Sequence, residues 1–280
     1  MSSLQFAVAA MLLFGLGDLV YKRGAAAGAP AHQFLMVQTW VFLPMVTAYA
    51  LLTGSLHFVV ASLWGSLAGL FILFGFYNFA QSLRTGSISI NAPIFRLSLV
   101  ATAGLAIALL GEPLTAFKIA GIAAALVAAW LLLGGPVARQ QESRASLARV
   151  AMATLAVGVG NFIYSLGLRD GATPGSLMVA QAGLVCPLAT LFAGLVDRGI
   201  RPSRPALRNA PLAGVALALA SLFMVEAVAR GQASIAVPIA QMGFVVTALL
   251  GFLFLREAFT VRKGVGIIAA LAALACLAHG

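Results

Sequence analysis

Apolar residues gather along this chain into ten stretches, and polar residues fall almost entirely between them. A helix that spans a bilayer needs roughly 20 apolar residues. Such stretches lie at approximately 3–22, 33–53, 60–82, 89–110, 115–134, 147–168, 175–196, 210–229, 233–254 and 260–278. The pattern predicts an all-α integral membrane fold of ten transmembrane helices, with connections too short to hold an extramembrane domain. Only 136–149 and 197–209 are long polar stretches. The second scatters Arg198, Arg201, Arg204 and Arg208 among Pro202, Pro205 and Pro211, which predicts a loop, at most an interfacial turn. The first apolar stretch has no basic leader and no A-x-A cleavage site, so it reads as a span and not as a signal peptide.

The pattern also repeats. Pro93, Glu112 and Gly121 recur as Pro238, Glu257 and Gly266, and Arg84–Leu126 laid over Ala229–Leu271 gives 18 identities in 43 positions. They include Gly86/Gly231, Ser89/Ser234, Thr102/Thr247, Thr115/Thr260 and Lys118/Lys263. Upstream, Gly15/Gly158, Gly17/Gly160, Tyr21/Tyr164, Gly24/Gly167, Gln38/Gln181 and Pro44/Pro187 match at a slightly smaller offset. The copies are assigned to 1–137 and 150–280, with a linker at 138–149. Each holds five spans, an odd number, so the second copy enters the membrane from the opposite face. Inverted repeats of this kind place one site near the midplane in many secondary transporters.

Composition excludes a soluble domain: 62% of residues are hydrophobic and 9% charged. The net charge of +10 is no sign of a nucleic-acid partner, because the charges sort by membrane face. Thirteen Lys/Arg fall on the face opposite the N-terminus: Lys22, Arg23, Arg84, Arg139, Arg144, Arg149, Arg198, Arg201, Arg204, Arg208, Arg256, Arg262 and Lys263. Three (Lys118, Arg169 and Arg230) share the N-terminal face, and Arg96 lies within a span. The bias predicts that the basic face is cytoplasmic, that both termini lie outside the cytoplasm, and that basic clusters meet anionic lipid head groups of the bilayer. No G-x-x-x-x-G-K-[ST] phosphate loop is present, and His32, His57 and His279 have no metal-ligand spacing. Cys186 and Cys276 sit in apolar helices as small packing residues. No cofactor and no enzymatic activity are expected.

A few polar residues stand where apolar ones would be cheaper. Arg96 is foremost. It lies about ten residues into the fourth span, where a cation costs at least ~2.5–3.5 kcal/mol and must face a cavity or a partner. Its counterpart is the neutral Gln241. A guanidinium suits a carboxylate or phosphate through its two-pronged donor geometry, while an internal ion pair with Asp18 or Glu226 is the competing reading. Asp18 is spaced to pair with Lys22, and its counterpart is Asn161. Glu226 replaces Gln81 of the first copy; either acid could take a proton or hold an amine. Gln38, Gln181, Tyr21, Tyr164, Asn78 and Asn91 supply neutral hydrogen bonds to a substrate or between helices. Pro93 and Pro238 predict bends that gate the pathway. Glu112 and Glu257 precede Thr115 and Thr260, each at the start of a helix, and read as caps or loop tethers. Gly65/Gly69 and the small-residue stripes from Gly121 and Gly266 favour packing within the molecule over a dimer seam, so a monomer or weak homodimer is expected. Trp64 and Trp130 read as interfacial anchors.

Ala92-Pro93-Ile94 followed by Gly111-Glu112-Pro113-Leu114-Thr115 and Gly121, and Val237-Pro238-Ile239 followed by Arg256-Glu257-Ala258-Phe259-Thr260 and Gly266, carry a resemblance over nearly the whole chain. They resemble the repeated motif of EamA-type exporters in the drug/metabolite transporter superfamily. The resemblance implies two five-helix repeats and transport of a small molecule, in a family that moves amino acids, nucleotide sugars, phosphorylated sugars, riboflavin, choline and drugs. The short multidrug relatives rely on an acid in the middle of their first span, where this chain has Leu13 and Phe14. The expectation is alternating access with a cavity lined by spans 1–4 and 6–9. The expected substrate is a small polar metabolite bearing a carboxylate, such as an amino acid, moved by export with a proton as candidate coupling ion. Uptake or exchange of a neutral sugar, nucleoside or vitamin, and a passive channel, remain as alternatives.

Overall fold

A computed structural model describes residues 1–85, 88–133, 144–255 and 260–280. Ten helical stretches among the described residues are long and apolar enough to cross a membrane. They are built from α1 (Ser3–Ala26), α2 (Ala31–Leu52), α3 (Leu63–Thr85), α4 (Ile88–Arg96), α5 (Ser98–Leu110), α6 (Ala116–Leu133), α7 (Arg144–Arg169), α8 (Pro174–Asp197), α9 (Arg204–Ala229), α10 (Ala233–Gln241), α11 (Gly243–Leu255) and α12 (Val261–Ala278). The chain is a multi-pass, all-helical membrane protein. Residues 134–143 lie outside the described residues, and α7 reaches back to Arg144, so 144–149 form the first turns of the sixth span.

Two expectations need correction. The stretch 197–209 is only half a loop, because α9 begins at Arg204. Pro205 stands in its first turn, where the missing N–H costs no intrahelical bond, and Pro211 is carried inside the helix. The fourth and ninth spans are also not single bent helices. Each is interrupted three residues beyond its proline, after Arg96 and after Gln241. The Leu97 N–H would reach the Pro93 carbonyl in a continuous helix, but instead donates to the Ile94 carbonyl at 2.9 Å. The Met242 N–H likewise donates to Ile239 at 3.1 Å. One tightened turn thus separates two half-helices at equivalent places in both copies.

Packing follows the twofold relation. The pair α3–α7 is matched by α9–α1, while α2–α8 and α6–α12 pack each helix on its own counterpart. Gly65 and Gly69 lie against Leu177 and Gln181 of α8, and Gly121 and Gly266 against Leu277 and Leu132. These small residues therefore close helix pairs within one molecule. Among the described residues the relation departs most where the half-helices of the broken spans meet. The half-helices α5 and α10 pack together on the face that holds the N-terminus, whereas α4 and α11 make no comparable packing among the described residues. Burial follows: 67% of the Ala233–Leu250 stretch lies inside the protein against 33% of Asn91–Leu110.

Candidate substrate site at the helix breaks

The breaks rest on a frame made twice. Thr102 Oγ1 donates to the Gly158 carbonyl at 3.0 Å, and Thr247 Oγ1 to the Gly15 carbonyl at 3.1 Å. These glycines allow the close approach. A Cβ on Gly158 would lie 2.6 Å from Ala101 Cβ, and one on Gly15 would lie 2.7 Å from the Gly243 carbonyl oxygen and nearer still to Val246. The frame seats α5 on α7 and α11 on α1. Tyr21 donates to Gln38, as Tyr164 does to Gln181, and these bonds tie the first two helices of each copy together.

Within the frame lies a polar group made once. Arg96 ends α4, and its Nη2 meets Asp18 Oδ2 of α1 at 3.2 Å. Its Nη1 lies 3.5 Å from the Gln241 carbonyl oxygen. That carbonyl is freed by the break, since the Val245 N–H that a continuous helix would give it donates to Met242. Ser98 Oγ donates to Gln241 Oε1 at 3.1 Å, and Thr247 Oγ1 approaches Asp18 Oδ2 at 3.4 Å. The Arg96 guanidinium also stands 5.4 Å from the Phe244 ring centroid, within cation–π range. Arg96 and Asp18 keep 20% and 38% of their side chains exposed, so the pair is reachable and not sealed, consistent with the loose packing between α4 and α11. The arrangement offers a fork of donors, a carboxylate, an amide and two hydroxyls at one depth.

The other sequence-predicted residues divide. Asp18 pairs with Arg96; the side chain of Lys22 lies outside the described part. Glu226 is not brought to the breaks. It is buried near the other end of α9, accepts from the Tyr49 hydroxyl at 2.9 Å and forms an ion pair with Arg230. Asn78 donates to Phe74 of its own helix at 2.9 Å. Asn91 donates to Ser82 and Ser146. Glu112 does cap a helix, but one belonging to the other copy: its carboxylate accepts from Ala233 N at 2.8 Å, Ser234 N at 2.9 Å and the Ser234 hydroxyl, at the start of α10. Thr115 and Thr260 cap the helices that follow them, accepting from Lys118 N and Lys263 N. Glu257 lies outside the described residues. Sequence reasoning did not place Ser98, Phe244 or Thr247 at the site. The only signal was the Thr102/Thr247 identity between the copies. Among the described residues no His, Cys, Asp and Glu side chains gather into a metal-binding group.

Comparison with known proteins agrees with this architecture. A crystal structure solved for another protein superposes with a TM-score of 0.84 over 99% of this chain and 98% of its own, at 16% identity, a likeness of fold alone. An uncharacterized protein of Methanocaldococcus jannaschii is 32% identical over 111 residues, 40% of this chain and 80% of its own length. It is thus a protein about the size of one five-helix copy. Residues 1–134 and 143–278, each nearly one copy, match the EamA-like transporter family. Two inverted copies, ten spans and this match over almost the whole chain make the protein a member of the EamA-like transporter family, a membrane transporter of the drug/metabolite type.

Proposed function

We propose that this transporter exports a small polar metabolite with a carboxylate, an amino acid or close relative, across the inner or plasma membrane by alternating access. The observation that carries the reading is the accessible Arg96–Asp18 pair at the paired helix breaks. A carboxylate entering the site takes the guanidinium fork from Asp18, with Gln241 and Ser98 completing its hydrogen bonds. Asp18, released, holds the substrate's ammonium group or a proton. The exchange replaces one ion pair by two and leaves no charge unpaired at depth. Pro93 and Pro238 keep both half-helices free to tilt, so α5–α10 can part as α4–α11 come together. Glu226 serves as a second proton acceptor towards the far end of the path, and Tyr21, Tyr164, Gln38, Gln181 and Asn78 line or brace it.

Binding is tested by thermal shift of the purified protein, since a ligand that prefers the folded state raises stability. Free amino acids are expected to raise Tm, N-acetyl amino acids to raise it less, and amino acid amides not at all. Stabilisation by neutral sugars or nucleosides with no response to carboxylates would overturn the substrate class. In liposomes, counterflow of labelled amino acid is expected; saturation-free flux without counterflow would mean a channel. Direction depends on orientation. In a variant lacking Cys186 and Cys276, a cysteine at Ser2 should react with an impermeant reagent outside intact cells and one at Arg201 should not. The reverse labelling would invert the topology and, with it, the direction.

A further inference from the structure

Among the described residues, three of the arginines that have no acidic partner stand around one cavity. Arg23, in the last turn of α1, and Arg204 and Arg208, at the start of α9, line a cavity of about 620 Å³ together with Ala27, Pro205 and Asn209. It opens on the basic face. Every acid among the described residues is engaged elsewhere. Asp18 holds Arg96, Glu112 caps α10, Asp170 accepts from Trp64, Asp197 is held by His32 and Gln33, and Glu226 pairs with Arg230. Glu142 and Glu257 lie outside the described residues. The three guanidiniums make no hydrogen bond or ion pair with another described residue. Three like charges converging on one hollow repel one another, and a bound anion relieves that cost.

We infer that this cavity binds the phosphate head group of an anionic membrane lipid. Placement favours lipid over a soluble phosphate. Arg204, Arg208 and Leu212 follow one another at four-residue spacing, so they share one face of α9 as it descends from the helix end into the membrane. Leu212 is 59% exposed and Leu207, beside the arginines, 49%. Cations at head-group level above apolar side chains at acyl-chain level match the order of a phospholipid. Arginine also suits the task, because its fork grips two phosphate oxygens at once. The first turn of α9 adds its unsatisfied N–H groups; its N-cap residue, Ser203, makes no side-chain cap. The site bridges α1, which carries Asp18, and α9, so a lipid held there clamps two helices that pack closely on each other.

The test uses the full-length protein in nanodiscs of neutral phosphatidylcholine, with or without phosphatidylglycerol, and reads the Tm and the phosphatidylglycerol retained after purification. The expected result is a rise in Tm and retained lipid for the wild type, both lost in the triple variant Arg23→Gln/Arg204→Gln/Arg208→Gln. Each single change should weaken retention about fivefold, the effect of one basic residue near an anionic surface. Arg144→Gln/Arg149→Gln/Arg201→Gln removes as many charges from the same face but none from the cavity, and should keep the response. An equal loss there would reduce the effect to diffuse surface potential and overturn the site. If the first triple variant does not fold, the corresponding triple lysine variant must retain lipid weakly but measurably; retention equal to wild type would remove the case for bidentate arginine. Inorganic phosphate at matched charge in neutral discs should leave Tm unchanged. An equal shift would assign the cavity to a soluble anion.

Discussion

The breaks in the fourth and ninth spans have the same backbone and different chemistry. Both follow a proline, both turn once through a tightened bond, and both are held by a threonine on a glycine carbonyl of the other copy's partner helix. Yet one half-helix ends in Arg96 and the other in Gln241, and Asp18 faces the break where its counterpart position holds Asn161. Geometry is thus supplied twice and charge once. In the proposed alternating-access cycle, a duplicated frame gives the motion its symmetry, because what one face does the other can repeat. In the same proposal a single ion pair gives one site, because two guanidiniums at the same depth would repel each other and double the desolvation cost.

The strongest way to break this comparison is to make the two ends alike. Arg96→Gln gives both breaks an amide and should lower substrate affinity about tenfold to a hundredfold, the loss of a charge-assisted hydrogen-bonded pair. Arg96→Lys keeps the charge without the fork and should fall between. Because Arg96→Gln also strands Asp18, the double variant Arg96→Gln/Asp18→Asn separates binding from folding. It should regain the Tm lost by the single change and still not bind. A double variant with wild-type affinity would make the pair a structural bridge and send the search for the site to the neutral residues.

A smaller effect is expected from the prolines. Alanine at 93 or 238 restores the missing N–H and removes the ring that opposes a continuous helix. Each change should slow exchange several-fold with little loss of Tm. The two should differ in which face is trapped: Pro238 lies in α10, packed against α5, and Pro93 in α4, which makes no comparable packing with α11 among the described residues. Cysteine accessibility from the two sides reads that difference. Wild-type exchange in both variants would remove the gating role.

Much of this frame was legible in the sequence, because duplication and hydrophobic length are properties of the chain read in order. The ten spans, the inversion and the pairing of Arg96 with Gln241 as counterparts follow from counting. The positions of the breaks do not. A stretch apolar throughout shows no phase in which an interruption can be seen, and Leu97 and Met242 look like any other span residue. The onset of α9 at Arg204 was hidden for the opposite reason, since proline and arginine imitate a loop while fitting a first turn. The partners of Glu112 and Asp18 were hidden by distance. Ala233 and Ser234 lie more than a hundred residues from Glu112, and the local spacing that pointed Asp18 to Lys22 competes with a contact made across the fold.

The finest test concerns the tyrosine clasps, which look alike in both copies. Tyr164 is 1% exposed and its hydroxyl is spent on Gln181, whereas Tyr21 is half-buried, one turn beyond Asp18, with Gln38 as partner. If both are frame only, Tyr21→Phe and Tyr164→Phe each remove one hydrogen bond, worth about 1 kcal/mol of stability, and leave affinity alone. If chemistry is present in one copy only, Tyr21, one turn beyond Asp18, is close to the carboxylate proposed to receive the substrate's ammonium group. Tyr21→Phe should then lower affinity a further few-fold, while Tyr164→Phe should change Tm alone. Binding isotherms and melting curves on the same two samples separate the cases. Equal affinity losses in both would mean that the second copy takes part in recognition, and that the asymmetry of Arg96 and Gln241 is not the boundary between frame and site.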